Sequence, residues 1–446
     1  MERFVLKDLE KWKNSNKRKP LILAGVRQCG KTWALREFGK KFYKNVASFD
    51  FYESPEYHQF FQTTKDPGRI IQNLAMASGQ IINPQETLVI FDEIQECGEA
   101  LGTLKYFCDK APEYHLACAG SLLGLSLPKP ADEFKNPSFP VGKVNFIDMY
   151  PMSFSEFLIA NGDENLKKYL DGIDRIEPIP DAFYNPLHEK LKMYFITGGM
   201  PESVGQWAEN RDVSAVQGVL SEILRAYERD FAKHAPVVDY PKINLVWQSL
   251  PSQLSRENKK FIYNIAKTGA RAREYEDALQ WLADANLVYK TFRITAPRLP
   301  LMSYRDVSAF KIYAADVGLL RRMSLLSPAA FGEGNRLFTE FKGALTENYI
   351  LQSLKPQFES IPHYWSTDNP RYEVDFIVEQ NNKIYPIEVK SDENIESKSL
   401  KKFAEFFPNE TGLRVRFSMR NLKKDGDVLN IPLFLVDYAS KLLEMI

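Results

Sequence analysis

Gly25-Val26-Arg27-Gln28-Cys29-Gly30-Lys31-Thr32 satisfies the spacing G-x-x-x-x-G-K-[ST] in full. An apolar run, Pro20-Leu21-Ile22-Leu23-Ala24, precedes it, and a helix-forming segment, Trp33 to Tyr43, follows. Strand, glycine-bracketed loop and helix N-terminus are the parts a phosphate cradle needs. Loop N–H groups and the positive end of the helix dipole face the anion. Residues 25–32, with Trp33 behind them, would line a nucleoside triphosphate such as ATP. Lys31 would reach the β- and γ-phosphates, and the Thr32 hydroxyl would ligate Mg²⁺.

A second acidic feature fits the first. In Thr87-Leu88-Val89-Ile90-Phe91-Asp92-Glu93, four apolar residues without alternation suit a strand buried on both faces of a parallel sheet. Its two acids then stand at the C-terminal edge, where ligands of open α/β sheets bind. Asp92 would hold Mg²⁺, directly or through water, and Glu93 would orient or deprotonate the attacking water. The competing reading of Asp92-Glu93, a helix-capping pair, loses force beside the upstream loop. Ser121 ends another strand, Tyr114 to Gly120, and could touch the γ-phosphate or cap the next helix.

A third group of polar residues lies near the C-terminus. Glu347 falls on an amphipathic helix pattern, Lys342 to Leu351. Asp375 falls on the strand Tyr372 to Val378, and Glu388 and Lys390 on the strand Ile384 to Lys390. Two residues apart on a strand, Glu388 and Lys390 project from one face, with Asp375 on the neighbouring hairpin strand. An exposed ion pair would produce the same E-x-K spacing, so the order of all four residues carries the reading.

The elements between these groups divide 446 residues into more than one core. After the P-loop core (1–152), Ser153 and Glu156 form a capping box, and a helical region (153–238) is interrupted at Thr197-Gly198-Gly199-Met200-Pro201. Within it Arg225, Arg229 and Lys233 share one helix face, as a solvated surface or as a nucleotide-sensing arginine. A third module (239–330) reads as helices from Leu254 and Ala270 and short strands at Leu287–Tyr289 and Phe310–Tyr313, an order that resembles a winged helix. Residues 331–446 form the last module, closed by a helix at Ser399–Phe407 and a strand at Leu433–Tyr438.

Composition excludes some classes. Basic and acidic residues balance at 58 each, so a chain-wide cationic field is absent. Residues 239–322 nonetheless hold 14 Lys and Arg against 8 Asp and Glu, a local excess compatible with DNA phosphate contacts. Residues 332–446 are slightly acidic, 15 against 18. Cys29, Cys97, Cys108 and Cys118 form no C-x-x-C and read as reduced thiols. No signal peptide or run of about 18 apolar residues occurs, which predicts a cytoplasmic protein without a membrane segment.

On the loop 25–32, the strand 88–93, Ala119-Gly120-Ser121, and Pro140-Val141-Gly142-Lys143 followed by Pro151 to Leu158, the chain resembles a prokaryotic family of AAA+-type ATPases. That family joins a P-loop module to a C-terminal domain of unknown function. Members often carry Gly-Arg where this chain has Gly142-Lys143, and lysine lacks the planar fork of arginine. The resemblance implies a helical lid at 153–238. Glu347, Asp375, Glu388 and Lys390 are similar to the site of PD-(D/E)XK nucleases, which implies Mg²⁺ or Mn²⁺ on Asp375 and Glu388, with Glu347 completing the shell. Lys390 would then orient water or stabilise developing charge.

The expected architecture is therefore α/β: an AAA+-like parallel sheet with helical lid, a winged-helix module and a nuclease-like α/β domain. Three outputs are distinguished. An ATP-gated nuclease predicts metal-dependent DNA cleavage, and a DNA-binding ATPase predicts salt-sensitive affinity without scission. A regulatory switch acting on protein partners predicts nucleotide-dependent assembly, including of the chain with itself.

Overall fold

The computed structural model describes residues 2–120, 140–256, 259–331, 339–369, 371–391 and 398–446, without the side chains of 339–341. Ser121 lies outside the described residues. The chain forms two compact units, one of Glu2–Tyr150 with Asp284–Asn286, the other of Pro151–Ala283 with Leu287–Ile446.

The first unit is built on five parallel strands, β1 (Leu21–Ala24), β2 (Asn45–Asp50), β3 (Thr87–Asp92), β4 (His115–Ala119) and β5 (Asn145–Asp148), in the order β2-β3-β4-β1-β5. All six residues of β3 and all five of β4 are buried, as expected of central strands covered on both faces. β5 alternates between half-buried and exposed residues, as an edge strand does. Helix Pro67–Ser78 starts with Asp66 accepting from the Arg69 N–H at 2.9 Å and ends at Gly79 in the left-handed conformation. One side of the sheet is filled by an aromatic cluster in which Phe91 meets Phe51 and Phe61 edge-on at 5.3 and 5.5 Å. Each such buried ring is worth about 1.5–3 kcal/mol of burial.

The second unit carries an eight-stranded sheet of β6 (Val288–Ile294), β7 (Arg305–Ala314), β8 (His363–Ser366), β9 (Glu373–Gln380), β10 (Lys383–Val389), β11 (Arg414–Ser418), β12 (Lys423–Asp425) and β13 (Val428–Pro432). The order is β12-β13-β11-β10-β9-β8-β6-β7. The β9–β10 hairpin turns on Asn381 and Asn382, at φ 52° and 59°, the positive pair that a two-residue type I′ turn requires. The β6–β7 hairpin, expected in a module of its own, continues the C-terminal sheet through the registered pair Arg293 and Tyr364.

Helix Thr339–Leu354 runs through this unit, and residues 344–354 are buried on every side. It is therefore a core helix and not the amphipathic one expected. Its polar residues are satisfied inside: Asn348 exchanges two hydrogen bonds with Ala314, and Gln352 accepts from Val317 N–H and donates to the Tyr194 hydroxyl. Two neighbouring turns are equally specific. Gly198 has φ 67° and lies so close to Asp316 that a Cβ would stand 2.2 Å from its Oδ1. Asp316 also accepts from Gly199 N–H at 2.6 Å and from Leu319 N–H at 2.9 Å. The Ser153–Glu156 capping box is present, and Ser155 N–H donates to the half-buried Asp437 at 2.8 Å.

Two element assignments are corrected. Leu254 ends helix Tyr240–Leu254 instead of starting one; Ile243, Val246, Trp247, Leu250 and Leu254 are its buried stripe. Pro241 and Pro251 obscured it, one in the first turn where no donor is needed, the other in the last. Leu433–Tyr438 is a 3-10 helix, and the last strand along the chain is β13 just before it. An apolar run of that length fits either form.

Candidate functional site

The phosphate loop of the first unit leaves β1 at Gly25, whose φ of 151° and packing admit no side chain: a Cβ would lie 2.1 Å from the Met149 carbonyl oxygen. Gln28 and Gly30 follow with φ of 63° and 95°. A non-glycine residue held in that region marks a loop whose shape is imposed by its surroundings. Part of that imposition comes from Arg3, a residue the sequence reading passed over. It is 4% exposed and donates at 2.7 Å to the carbonyls of Cys29 and Tyr150. Cys29 is itself buried, its Sγ 3.6 Å from Met149 O, and all four cysteines are free thiols.

Helix Lys31–Phe42 then begins on Gly30 without a side-chain cap. Its first N–H groups are thus left for an external acceptor, the arrangement that suits an anion. Lys31 Nζ lies over the loop, 2.9 Å from Gly25 O and 3.0 Å from Val26 O. Thr32 Oγ1 donates to Asp92 Oδ1 at 3.0 Å, joining the loop to the acidic strand. Trp33 is 40% exposed on the first turn.

Asp92 also accepts from the Glu93 N–H at 3.2 Å. Burial pushes its carboxyl upward, with Glu93 and Asp50 adding to the rise and Thr32 opposing it. A cation beside Asp92 would relieve that penalty. The donor set, a hydroxyl and a carboxylate, is the oxygen set that Mg²⁺ takes, so the residues fit that ion. Glu93 stands in the left-handed region at φ 48°, and Gln95 donates to its Oε2 at 2.5 Å. Lys143, at the position where arginine was considered, instead pairs with Asp109 at 2.7 Å.

Residues 17–158 match the profile of an AAA domain. This segment is similar to AAA domains. Residues 188–330 match a domain of unknown function (DUF8612), and residues 342–434 match another (DUF4143). Curated proteins give no significant match. Among solved structures, a Walker-type ATPase of Pyrococcus abyssi aligns at 16% identity and TM-score 0.44, over 72% of this chain and 94% of its own. The ORC1 protein of Aeropyrum pernix, solved in complex with DNA, aligns at 11% and 0.27, over 72% and 90%. AMPPCP-bound DnaA from Aquifex aeolicus aligns at 14% and 0.22, over 63% and 86%. The loop, strand order and acid placement described above agree with the AAA domain match.

The second unit brings the four C-terminal residues together. Lys390 Nζ is 2.7 Å from Glu388 Oε1, the shared face expected of that spacing. Asp375 Oδ2 accepts from Val389 N–H at 2.7 Å. Glu347 is taken on both oxygens, by the Lys259 ammonium and by the Tyr313 hydroxyl at 3.3 Å. Burial opposes the charged form of Glu347, but Lys259 and Lys311 prevail and hold its carboxyl below the usual range. Asp375 is pushed well up by burial and by Glu347 and Glu388, and Glu388 is raised by burial against the pull of Lys390.

Among the described residues no group of three or more His, Cys, Asp or Glu side chains is arranged to hold a metal ion. Lysines stand where a metal shell was expected. One feature still fits an oxygen-seeking cation: buried Glu388 Oε2 has no hydrogen-bond partner among the described residues. Lys259, Tyr313, Lys311 and Glu373 were missed by the sequence reading. The available signal was a lysine inside the apolar run Phe310-Lys311-Ile312-Tyr313, where it is fully buried and paired with Glu373.

The basic excess of 239–322 is partly consumed in the same way. Lys242, Lys259, Arg293 and Lys311 pair with acids of the second unit, whereas Arg256, Lys267, Arg271 and Arg273 are exposed. Arg225, Arg229 and Lys233 are exposed on one helix face, with Arg225 and Arg322 at the rim of a cavity of about 300 Å³. No helix among the described residues is long and apolar enough to cross a membrane.

Proposed function

We propose that the AAA domain binds and hydrolyses Mg-ATP and that its nucleotide state controls the activity of the C-terminal acidic site. The observation that carries the first half is the 3.0 Å bond between Thr32 and Asp92. It draws together the hydroxyl and carboxylate that a triphosphate-bound cation needs, at the N-terminus of an uncapped helix. Lys31 would exchange two loop carbonyls for the β- and γ-phosphates. Glu93 would take a proton from water as the water oxygen bonds to the γ-phosphorus and the β–γ bridging bond breaks, releasing ADP and phosphate. Thr32 and Asp92 would hold Mg²⁺, which would supply charge neutralisation on the phosphate oxygens.

The second half is supported by the convergence of Glu347, Asp375, Glu388 and Lys390 and by the unpartnered Glu388 oxygen. In this reading the acids hold Mg²⁺ or Mn²⁺, and the output is cleavage of a nucleic-acid phosphodiester, approached through the exposed cations of 256–273. The competing output, a non-cleaving switch on protein partners, is favoured by the lysines that already pair with the acids.

The test is ATP turnover by the full chain, followed by incubation with labelled duplex, branched and single-stranded DNA with and without ATP and Mn²⁺. Lys31→Ala should bind ATP about 10²-fold more weakly and Glu93→Gln should bind without hydrolysing. Wild-type turnover in both variants would overturn the ATPase reading. Cleavage that persists in Asp375→Asn, or is absent throughout, would leave only the switch.

A further inference from the structure

Four carboxylates and four cations meet around the C-terminal acids. Glu347, Glu373, Asp375 and Glu388 face Lys259, Lys311, Lys390 and Arg416, which is the register partner of Glu388 on β11. Their formal charges cancel. In a buried site a cancelled cluster is stable by itself, and a divalent ion added to it would leave an excess of two positive charges with no compensation. The departure of one resident cation halves that excess, so binding of such an ion is favoured by the exchange of one cation.

The fold decides which one. Lys311 is fully buried in β7 and bound to Glu373. Arg416 belongs to β11, and Lys390 directly follows β10, where its N–H donates to Phe417 O at 2.8 Å. Lys259 also stands on no helix or strand, and it reaches the site from the segment after helix Tyr240–Leu254. Its ammonium holds Glu347 Oε1, the oxygen a metal would need. An ammonium on a flexible stem is also the easiest cation to exchange, since water can rehydrate it.

We infer that Lys259 is the resident counter-ion of the C-terminal carboxylate site, and that Lys259 and a divalent cation occupy Glu347 as alternatives. This rests on the reading of Glu347, Asp375 and Glu388 as metal ligands. It assigns to residue 259 the control of metal affinity.

The experiment is calorimetric titration of the full, nucleotide-free chain with Mn²⁺. Lys259→Met should bind about 10–100-fold more tightly than wild type, the range over which groups bordering a metal tune its affinity. Adding Asp375→Asn should abolish the gain, and Lys259→Arg should keep wild-type affinity. Where Lys259→Met lacks a cooperative melt, Lys259→Gln repeats the comparison with a neutral donor to Glu347. Equal affinity in wild type and the neutral variant, both lost with Asp375→Asn, overturns the role of Lys259 and leaves the metal site standing. No binding that depends on Asp375 in any variant overturns the metal reading itself.

Discussion

Asp92 and Glu388 both stand at the C-terminal ends of buried strands, one in each unit, yet their surroundings are balanced in opposite ways. Asp92 has a hydroxyl and a backbone N–H for partners, and the nearby Lys31 is engaged with carbonyls, not with the acid. The charge of that site is left for a ligand to complete. Glu388 and its neighbours have their cations built in, on β7 and β11, just after β10, and from residue 259. A site that awaits a ligand and a site that is complete without one can share the same residue types. The difference is where the lysines spend their hydrogen bonds.

Substitutions can break or sharpen that contrast. The largest effect should come from Glu93→Gln, which should lower ATP turnover by about 10²–10⁴-fold, the share a general base supplies, with ATP affinity unchanged in a filter-binding assay. Parallel loss of affinity would show Glu93 to be structural. Lys311→Met should lower the unfolding free energy in urea by about 3–5 kcal/mol, because it leaves Glu373 without its buried partner, and ATP binding should not change. Lys31→Ala should do the reverse: ATP binding weakened by about 10²-fold, or roughly 2.8 kcal/mol, with little shift in the urea midpoint. If Lys31→Ala destabilised as much as Lys311→Met, the two lysines would not differ in kind.

The smallest effect concerns pH. His115 accepts or donates at 2.7 Å with the Tyr43 hydroxyl, and burial, with Arg18 and Lys13 nearby, lowers it to about 4 from an ordinary 6.5. The folded protein thus binds fewer protons than the unfolded chain between these values. Its contribution to stability should be complete above pH 6.5 and decline as pH falls toward 4. Melting curves of His115→Asn should lack that part of the decline; an identical pH profile would remove His115 as its source.

The first unit was largely legible because its signals are local. The glycines, Lys31 and Thr32 lie in one octet, and the run 88–91, read beside that octet, suits a strand covered on both sides. Arg3 escaped notice because nothing in Met1-Glu2-Arg3-Phe4 indicates that its guanidinium reaches two carbonyls, one of them 147 residues away. In the second unit the acids and the hairpin were found, but Pro241 and Pro251 hid a helix and Leu433–Tyr438 suggested a strand. Apolar pattern alone does not distinguish short buried elements, and the choice falls to packing.

By itself, then, the sequence determined the phosphate loop, the acidic strand end and the E-x-K pair, because each depends on spacing along a single element. Tertiary structure decided what those groups face. It carried the β6–β7 hairpin into the C-terminal sheet and brought Lys259 and Lys311 against acids 88 and 62 residues away. Electrostatic balance is a property of neighbours in space, and for buried charges those neighbours determine whether a cluster of acids waits for a cation or already has one.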